Sequence, residues 1–518
     1  MRKRRSKGVH RLGQYTIKVY RYNPAADDEP TYNSYLFKFE HHPTILEVLR
    51  KIRDEYDPTL AFRESCGLGK CGSCAVSMNG NPVLACRNPI EEEALIEPLA
   101  NQQVIKDLVV ERTEFHDRLR ESRAFHNRPD YLKLEDKPFQ WSDRFMDLSR
   151  CIKCLICESA CPAFAYNSSD FPGPAFFVQL SRSLNHPLDL GREEHVAWVD
   201  GIHNCTACMI CEHVCPKDVN PFRNGILALR SAISEKELEL PMMQQGLADQ
   251  YTKTGSVVPM KQNKLEHPAV DDNSKTAVFL GCMFTDRYPT EGKKVLNLLM
   301  AMGIKVQMPD GLVCCGGPLM WVGDRKQADE AFETNIKALV DSKVDRVITP
   351  CPGCGLTLKK DYSDYYRAKT GKEMPFEIID MTELLGGKLN DISLEESQPV
   401  KVAYHSPCHH GKGQGLLNES LAVLEAISGV ELVETKATNM CCGGMTSSSN
   451  SSMTLELSSR IIKEVESTRA DTLVTSCIFC RDNLNRAARY RGSKIKVVHI
   501  LSLVNNQVKN YGKGRDYK

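Results

Sequence analysis

The sequence predicts a multidomain chain, α+β in its first half and α/β in its second. Three observations predict this. Aromatic and β-branched runs near the start read as strands around one capped helix. The middle lacks strand alternation and carries short helical stretches among dense cysteines. The last half alternates strand with helix and repeats itself. At 518 residues the chain is too long for one core, and its length suggests three or four domains.

The opening MRKRRSK makes residues 1–14 a solvated basic tail, and with no apolar stretch behind it this is not an export signal. Domain 15–105 begins with strands over Tyr15–Tyr22 and Tyr35–Phe39. Thr44 and Glu47 form a capping box ahead of Ile45, Leu46, Val48, Leu49 and Ile52, which starts a helix. Domain 106–240 is helical. Residues 241–275, rich in Lys, Gln, Asn and Asp, read as a polar linker. Residues 276–395 and 396–518 form two α/β domains. Cys282, Cys314–Cys315, Cys351 and Cys354 recur as Cys408, Cys441–Cys442, Cys477 and Cys480, offset by 126 or 127 residues. In the second copy Leu455, Leu457, Ile461, Ile462 and Val465 mark a helix and Thr472–Thr475 a strand.

Composition excludes several functions. Lys+Arg 67 against Asp+Glu 66 gives a net charge of +1, so there is no basic field for nucleic acid. Nowhere do about 18 apolar residues run together, so no membrane span is expected. A cytoplasmic location follows, with membrane association arising only through partners. The 22 cysteines in so long a chain favour thiolates holding metal over a disulfide scaffold.

Those cysteines divide into five sets without remainder. Cys66, Cys71 and Cys74, followed by Cys86, have the plant-type [2Fe–2S] spacing. Gly67, Gly69 and Gly72 let that loop wrap a cluster, and Asn79-Gly80 marks a hairpin that returns Cys86 to it. Cys151, Cys154, Cys157 and Cys161-Pro162 form one two-cluster ferredoxin run, and Cys205, Cys208, Cys211 and Cys215-Pro216 form another. In that motif the fourth cysteine serves the other cluster. One cubane [4Fe–4S] is thus assigned to Cys151, Cys154, Cys157 and Cys215, the other to Cys205, Cys208, Cys211 and Cys161. Zinc is the rival metal throughout, though three cysteines at successive spacings of three argue against it.

Residues 15–235, with SCGLGKCGSCAVSMNGNPVLAC, resemble the iron–sulfur subunit of succinate dehydrogenase and fumarate reductase. The resemblance implies a β-grasp ferredoxin domain, then an α-helical one, relaying electrons to a flavoprotein partner that alone carries FAD. Members of that family usually lack a cysteine where Cys208 stands, and hold a three-iron cluster there. Four thiolates here imply a full [4Fe–4S]. Ala165, Tyr166 and Thr206 replace the tryptophan pair and histidine of quinone-linked members.

Residues 275–512 resemble the CCG domains of the heterodisulfide reductase family. That resemblance implies a noncubane [4Fe–4S] cluster at each of Cys282, Cys314, Cys315, Cys351, Cys354 and Cys408, Cys441, Cys442, Cys477, Cys480, with a disulfide formed between the two clusters. Gly316, Gly317, Gly443 and Gly444 would let the backbone approach a bulky cluster. The fusion is similar to the thiol:fumarate reductase family. It implies oxidation of coenzyme M and coenzyme B thiols to the heterodisulfide, with electrons passed to a flavoprotein that reduces fumarate to succinate. Two alternatives are a quinone-linked succinate dehydrogenase subunit and a non-catalytic zinc-binding assembly protein. His409 and His410 read as bystanders to a complete thiolate set. Gly411-Lys-Gly413-Gln-Gly415 matches no dinucleotide fingerprint and reads as a flexible loop beside the substrate cleft.

Overall fold

A computed structural model describes residues 13–124, 142–187, 189, 191–259, 265–389, 392–395, 398–444 and 450–508. Most of the expected basic tail lies outside these residues. Gly13 and Gln14 instead begin a strand. The chain forms two compact units, one of residues 1–202 and 210–229, the other of 203–209 and 230–518. The helical domain expected over 106–240 is therefore divided between them.

In the first unit, strands β1 (Gly13–Arg21), β2 (Thr31–Phe39), β3 (Ala75–Met78), β4 (Asn81–Leu84) and β5 (Glu93–Glu97) form a mixed sheet of order β2-β1-β5-β3-β4. Tyr15, Ile17 and Val19 alternate inward along β1, as a sheet with one buried face requires. They share the core with Ile45, Leu46, Val48, Leu49 and Ile52 of helix Ile45–Glu55. That helix starts at the expected capping box, Thr44 accepting from the Glu47 N–H while Glu47 reaches back to the Thr44 N–H. Asn79 and Gly80, both at positive φ, turn β3 into β4. A ribbon of β6 (Val104–Lys106) and β7 (Val109–Val110) precedes short helices, among them Pro174–Leu184, which is buried along most of its length.

The second unit carries two parallel sheets. One contains β8 (Thr276–Val278), β9 (Arg346–Thr349) and β10 (Glu377–Asp380) in the order β10-β9-β8. The other contains β11 (Val400–His405), β12 (Val430–Val433), β13 (Thr472–Thr475) and β14 (Lys496–His499) in the order β12-β11-β13-β14. The repeat read from cysteine spacing is thus also a repeat of topology: β8, β9 and β10 follow one another as β11, β13 and β14 do. A bridge from Ala277 to Gln307 stands where β12 stands in the second copy. Parallel neighbours need crossover helices, and Arg325–Asp341 and Ser451–Ser467 supply the matching ones. Cys351 and Cys477 each cap the helix that follows a strand, β9 and β13 respectively. This places the cysteines beyond the carboxyl ends of parallel strands, where open α/β sheets bind ligands.

The described residues of 241–275, the stretch read as a polar linker, carry a helix and a bridge. Helix Met242–Thr254 buries Gln244, Ala248 and Tyr251 on one face. Gly255 ends it in the left-handed region, and its carbonyl accepts from the Cys314 N–H at 2.8 Å. Val270 then bridges Val306 beside the first parallel sheet.

Candidate metal centres

The loop of the first cysteine set is held by its own backbone. Gly67, Gly69 and Gly72 all lie at positive φ, and the N–H groups of Leu68 and Lys70 both donate to Cys66 Sγ at 3.3 Å. Backbone donors aimed at sulfur stabilise a thiolate or a cluster sulfide. Cys71 is exposed, and its thiol is lowered to about 6, chiefly by a hydrogen bond from the Ser73 side chain. Burial pushes Cys74 up to about 11. Cys86, returned by the β3–β4 hairpin, pairs with Cys74.

Gly72 does more than turn the loop. A methyl group there would stand 2.6 Å from the Ile152 carbonyl oxygen and 3.0 Å from Cys154 Cβ. Only a residue without Cβ lets the first loop lie against the second.

Cys151, Cys154, Cys157 and Cys215 line one small cavity with Val178, Val219 and Pro221. Cys215 thus joins the first run, as the two-cluster motif implies. Burial raises Cys151, pushes Cys154 up to about 12 and holds Cys157 well above an ordinary thiol. Burial disfavours these thiolates, and a cation beside them, as in a cluster, favours them. The loop is preset for wrapping: Lys153 and Leu155 both have positive φ, and Ala207 and Met209 repeat this at matching positions of the second run. Each such non-glycine residue costs about 1–3 kcal/mol. The remaining set is divided between the units, Cys161 and Cys211 in the first, Cys205 and Cys208 in the second.

The ten cysteines of the repeat line a single cavity, which Thr206 and Cys208 also line. Its other walls are largely apolar, including Met283, Trp321, Pro352, Pro407 and Phe479. Within the first copy Cys314 is held well below an ordinary thiol, first by a hydrogen bond from Cys282 and then by one from Cys315. Within the second copy Cys442 and Cys480 Sγ lie 3.1 Å apart, and Cys480 holds Cys442 low. Cys408 and Cys441 interact with each other and with Cys208, and both are raised. Two five-sulfur nests with almost no other polar lining suit iron and sulfide, and the donor set fits the expected clusters.

Several expectations change here. Gly316 and Gly317 are crowded by Ala331, Phe332 and Thr357, and Gly443 by Thr454. Helix packing accounts for those three, whereas Gly444 faces Cys442 Sγ and lines the cavity. His410 is turned to Thr382 at 2.8 Å and Asp380 at 3.3 Å, with no thiolate among these partners. His409 lines the cavity, packing on Trp321 with ring centres 4.3 Å apart while its Nε2 meets the Ala207 carbonyl at 2.9 Å. The Gly411–Gly415 loop is not loose. Gln414 Nε2 donates to the Pro352 and His409 carbonyls at 3.1 and 3.2 Å.

Sequence reasoning missed Trp321 and the proximity of Thr206 to the repeat. Thr206, in place of the quinone-site histidine, lies with its Oγ1 3.9 Å from Cys441 Sγ. Arg230, also missed, is fully buried and donates to the Trp321 and Cys205 carbonyls at 2.6 and 3.1 Å.

Comparison with known proteins finds three kinds of domain. Residues 16–117 match a 2Fe-2S iron-sulfur cluster binding domain and 147–219 a 4Fe-4S dicluster domain. Residues 276–359 and 402–485 each match a cysteine-rich domain, CCG. The B subunit of fumarate reductase (CoM/CoB) from Methanothermobacter marburgensis is 33% identical over 94% of this chain and 98% of its own. A fumarate reductase iron-sulfur subunit from Mycobacterium tuberculosis is 34% identical over 40% of this chain and 89% of its own. A hypothetical protein from Helicobacter pylori, 13% identical, has a similar fold with TM-score 0.63 over 98% of this chain and 97% of that one. Among the described residues no helix is long and apolar enough to cross a membrane.

Proposed function

Because the chain belongs to the fumarate reductase (CoM/CoB) family, as its B-type iron–sulfur component, we propose that it joins the thiols of coenzyme M and coenzyme B in the ten-cysteine cavity. Two thiols lose two protons and two electrons to form one disulfide. Fumarate takes up two electrons and two protons to become succinate on a flavoprotein partner. The observation that carries this reading is the single cavity shared by both five-cysteine sets.

The residues have distinct tasks. Cys66, Cys71, Cys74 and Cys86 would hold one [2Fe–2S] cluster. Cys151, Cys154, Cys157 and Cys215, and Cys161, Cys205, Cys208 and Cys211, would hold two cubanes. Each five-cysteine set would hold a noncubane [4Fe–4S] cluster. When bound, these groups supply one-electron carriers and iron sites for sulfur, so that a two-electron reaction proceeds without free thiyl radicals. The apolar walls around Trp321, Met283 and Phe479 exclude water and accept the hydrocarbon parts of thiol substrates. Thr206 supplies a hydroxyl close to Cys441.

Quinone linkage is disfavoured because Ala165, Tyr166 and Thr206 lack the family's quinone-site side chains. The test is anaerobic reconstitution with the flavoprotein and both thiols. Thiol-dependent fumarate reduction is expected. Its absence, with artificial donors still active, overturns the proposal, and rapid quinone reduction by succinate would favour the quinone reading. Zinc in place of iron and acid-labile sulfide would overturn both.

A further inference from the structure

In the second copy of the repeat a histidine stands beside the cysteine sulfurs where the first copy has a phenylalanine. His405 ends β11 and is fully buried. A ring nitrogen of His405 and the sulfurs of Cys442 and Cys480 all lie within 4.8 Å of one another. The repeat offset of 126 residues places Phe279, also buried, at the equivalent position of the first copy.

The hydrogen bonding of the ring assigns its proton. Nδ1 lies 3.2 Å from the Ala437 carbonyl oxygen. A carbonyl only accepts, so Nδ1 carries the hydrogen and Nε2 of the neutral ring keeps its lone pair. Nε2 is buried with no nitrogen or oxygen partner among the described residues, while the ring interacts with Cys442. A thiol can donate to that lone pair, as Cys442 does, but thiolates bound to a metal have no hydrogen to give, and the buried nitrogen is then left without a partner at a cost. An iron between nitrogen and sulfurs removes that cost. Holding one ring nitrogen on a backbone carbonyl so that the other meets a metal is how protein histidines are oriented for ligation.

We infer that His405 is a nitrogen ligand to iron held by Cys442 and Cys480. The two clusters flanking the substrate are then unlike, one bound by thiolates alone and the other by thiolates and an imidazole. This rests on the reading that the second five-cysteine set holds iron. With five thiolates at each site, the added imidazole leaves the charge from the protein unchanged but alters the coordination and donor strength at one iron, so the two clusters differ in affinity for an incoming thiolate, which gives the cavity a direction.

The test uses the complete, iron-loaded chain prepared anaerobically with histidine in either ¹⁴N or ¹⁵N form. Pulsed electron paramagnetic resonance of the paramagnetic repeat clusters is expected to show a coupling of directly bound imidazole size that changes with isotope. His405→Gln is expected to abolish it, and His409→Gln to leave it in place. No isotope-sensitive coupling in the wild-type chain, only a weak through-space coupling, or a coupling that survives His405→Gln overturns the inference. The isotope comparison made on the wild-type chain and on His409→Gln leaves His405 untouched, so a coupling kept in both decides the matter even if His405→Gln fails to fold. Iron and sulfide content, measured on the same samples, separates failure of this ligand from failure of the cluster reading itself.

Discussion

Gly72 stands so close to the carbonyl of Ile152 that a methyl group on its α-carbon would lie 2.6 Å from that oxygen. The contact joins the loop of the first cysteine set to the loop of the second. Arg112 fastens the same junction, one of its terminal nitrogens donating to the Gly72 carbonyl at 3.3 Å and the Lys153 carbonyl at 2.9 Å. Electron transfer falls steeply with separation, so under the proposed function a junction this tight would serve conduction as well as folding.

Gly72→Ala is therefore expected to destabilise the chain by ~2 kcal/mol, combining strain at φ +71° with the clash. Both clusters should still assemble. Magnetic coupling between the [2Fe–2S] centre and the neighbouring cubane should weaken and electron transfer between them slow, which rapid-freeze spectroscopy would measure. Unchanged stability and unchanged coupling would show that the loops are not held by this contact.

Cys71 should be the most reactive thiol of the first set in iron-free protein. The hydrogen bond from Ser73 lowers its pKa to about 6, below the ordinary value of 9.0. The sign follows from linkage: a lowered folded pKa makes the thiolate stabilising, and that contribution appears as pH rises from about 6 towards 9 and disappears on acidification below about 6. Alkylation of Cys71, followed by mass spectrometry, is expected to reach half its maximal rate near pH 6 and to need more alkaline conditions in Ser73→Ala. Identical profiles for the two proteins would contradict this.

Cys208→Ser tests the most ambiguous sulfur in the chain. The two-cluster motif gives Cys208 to the second cubane, yet its thiol interacts with Cys408 and Cys441 of the repeat. The substitution is expected to convert the second cubane towards a three-iron signal while leaving the [2Fe–2S] signal intact. If instead only the spectrum of the repeat clusters changes, Cys208 belongs with them.

Much of this architecture is legible in the sequence because local rules govern it. The Thr44–Glu47 capping box and the Asn79-Gly80 turn are short-range features, and Thr472–Thr475 forms the strand its composition suggests. Cysteine spacing locates the sites because metal geometry restricts it. The helix Met242–Thr254 is hidden because its inward face is Gln244, Ala248 and Tyr251, a helical period written partly in polar and small residues. Nothing in Lys153 or Leu155 announces a left-handed backbone, since only the wrapped loop requires it. Gly316, Gly317 and Gly443 make room for neighbours on helices distant in sequence, which no local pattern reveals. His405 is silent for a similar reason: its meaning comes from Cys442 and Cys480, which lie far along the chain.

The 3.1 Å separation of Cys442 and Cys480 also bears on how the protein is made. Emptied of iron, that pair is poised to join on the first contact with oxygen, and a bond there would close the nest to later loading. Biosynthesis must then deliver metal and sulfide to the newly folded repeat while reductant is still plentiful. Material purified in air would be expected to stay unloadable at its second nest until that bond was opened.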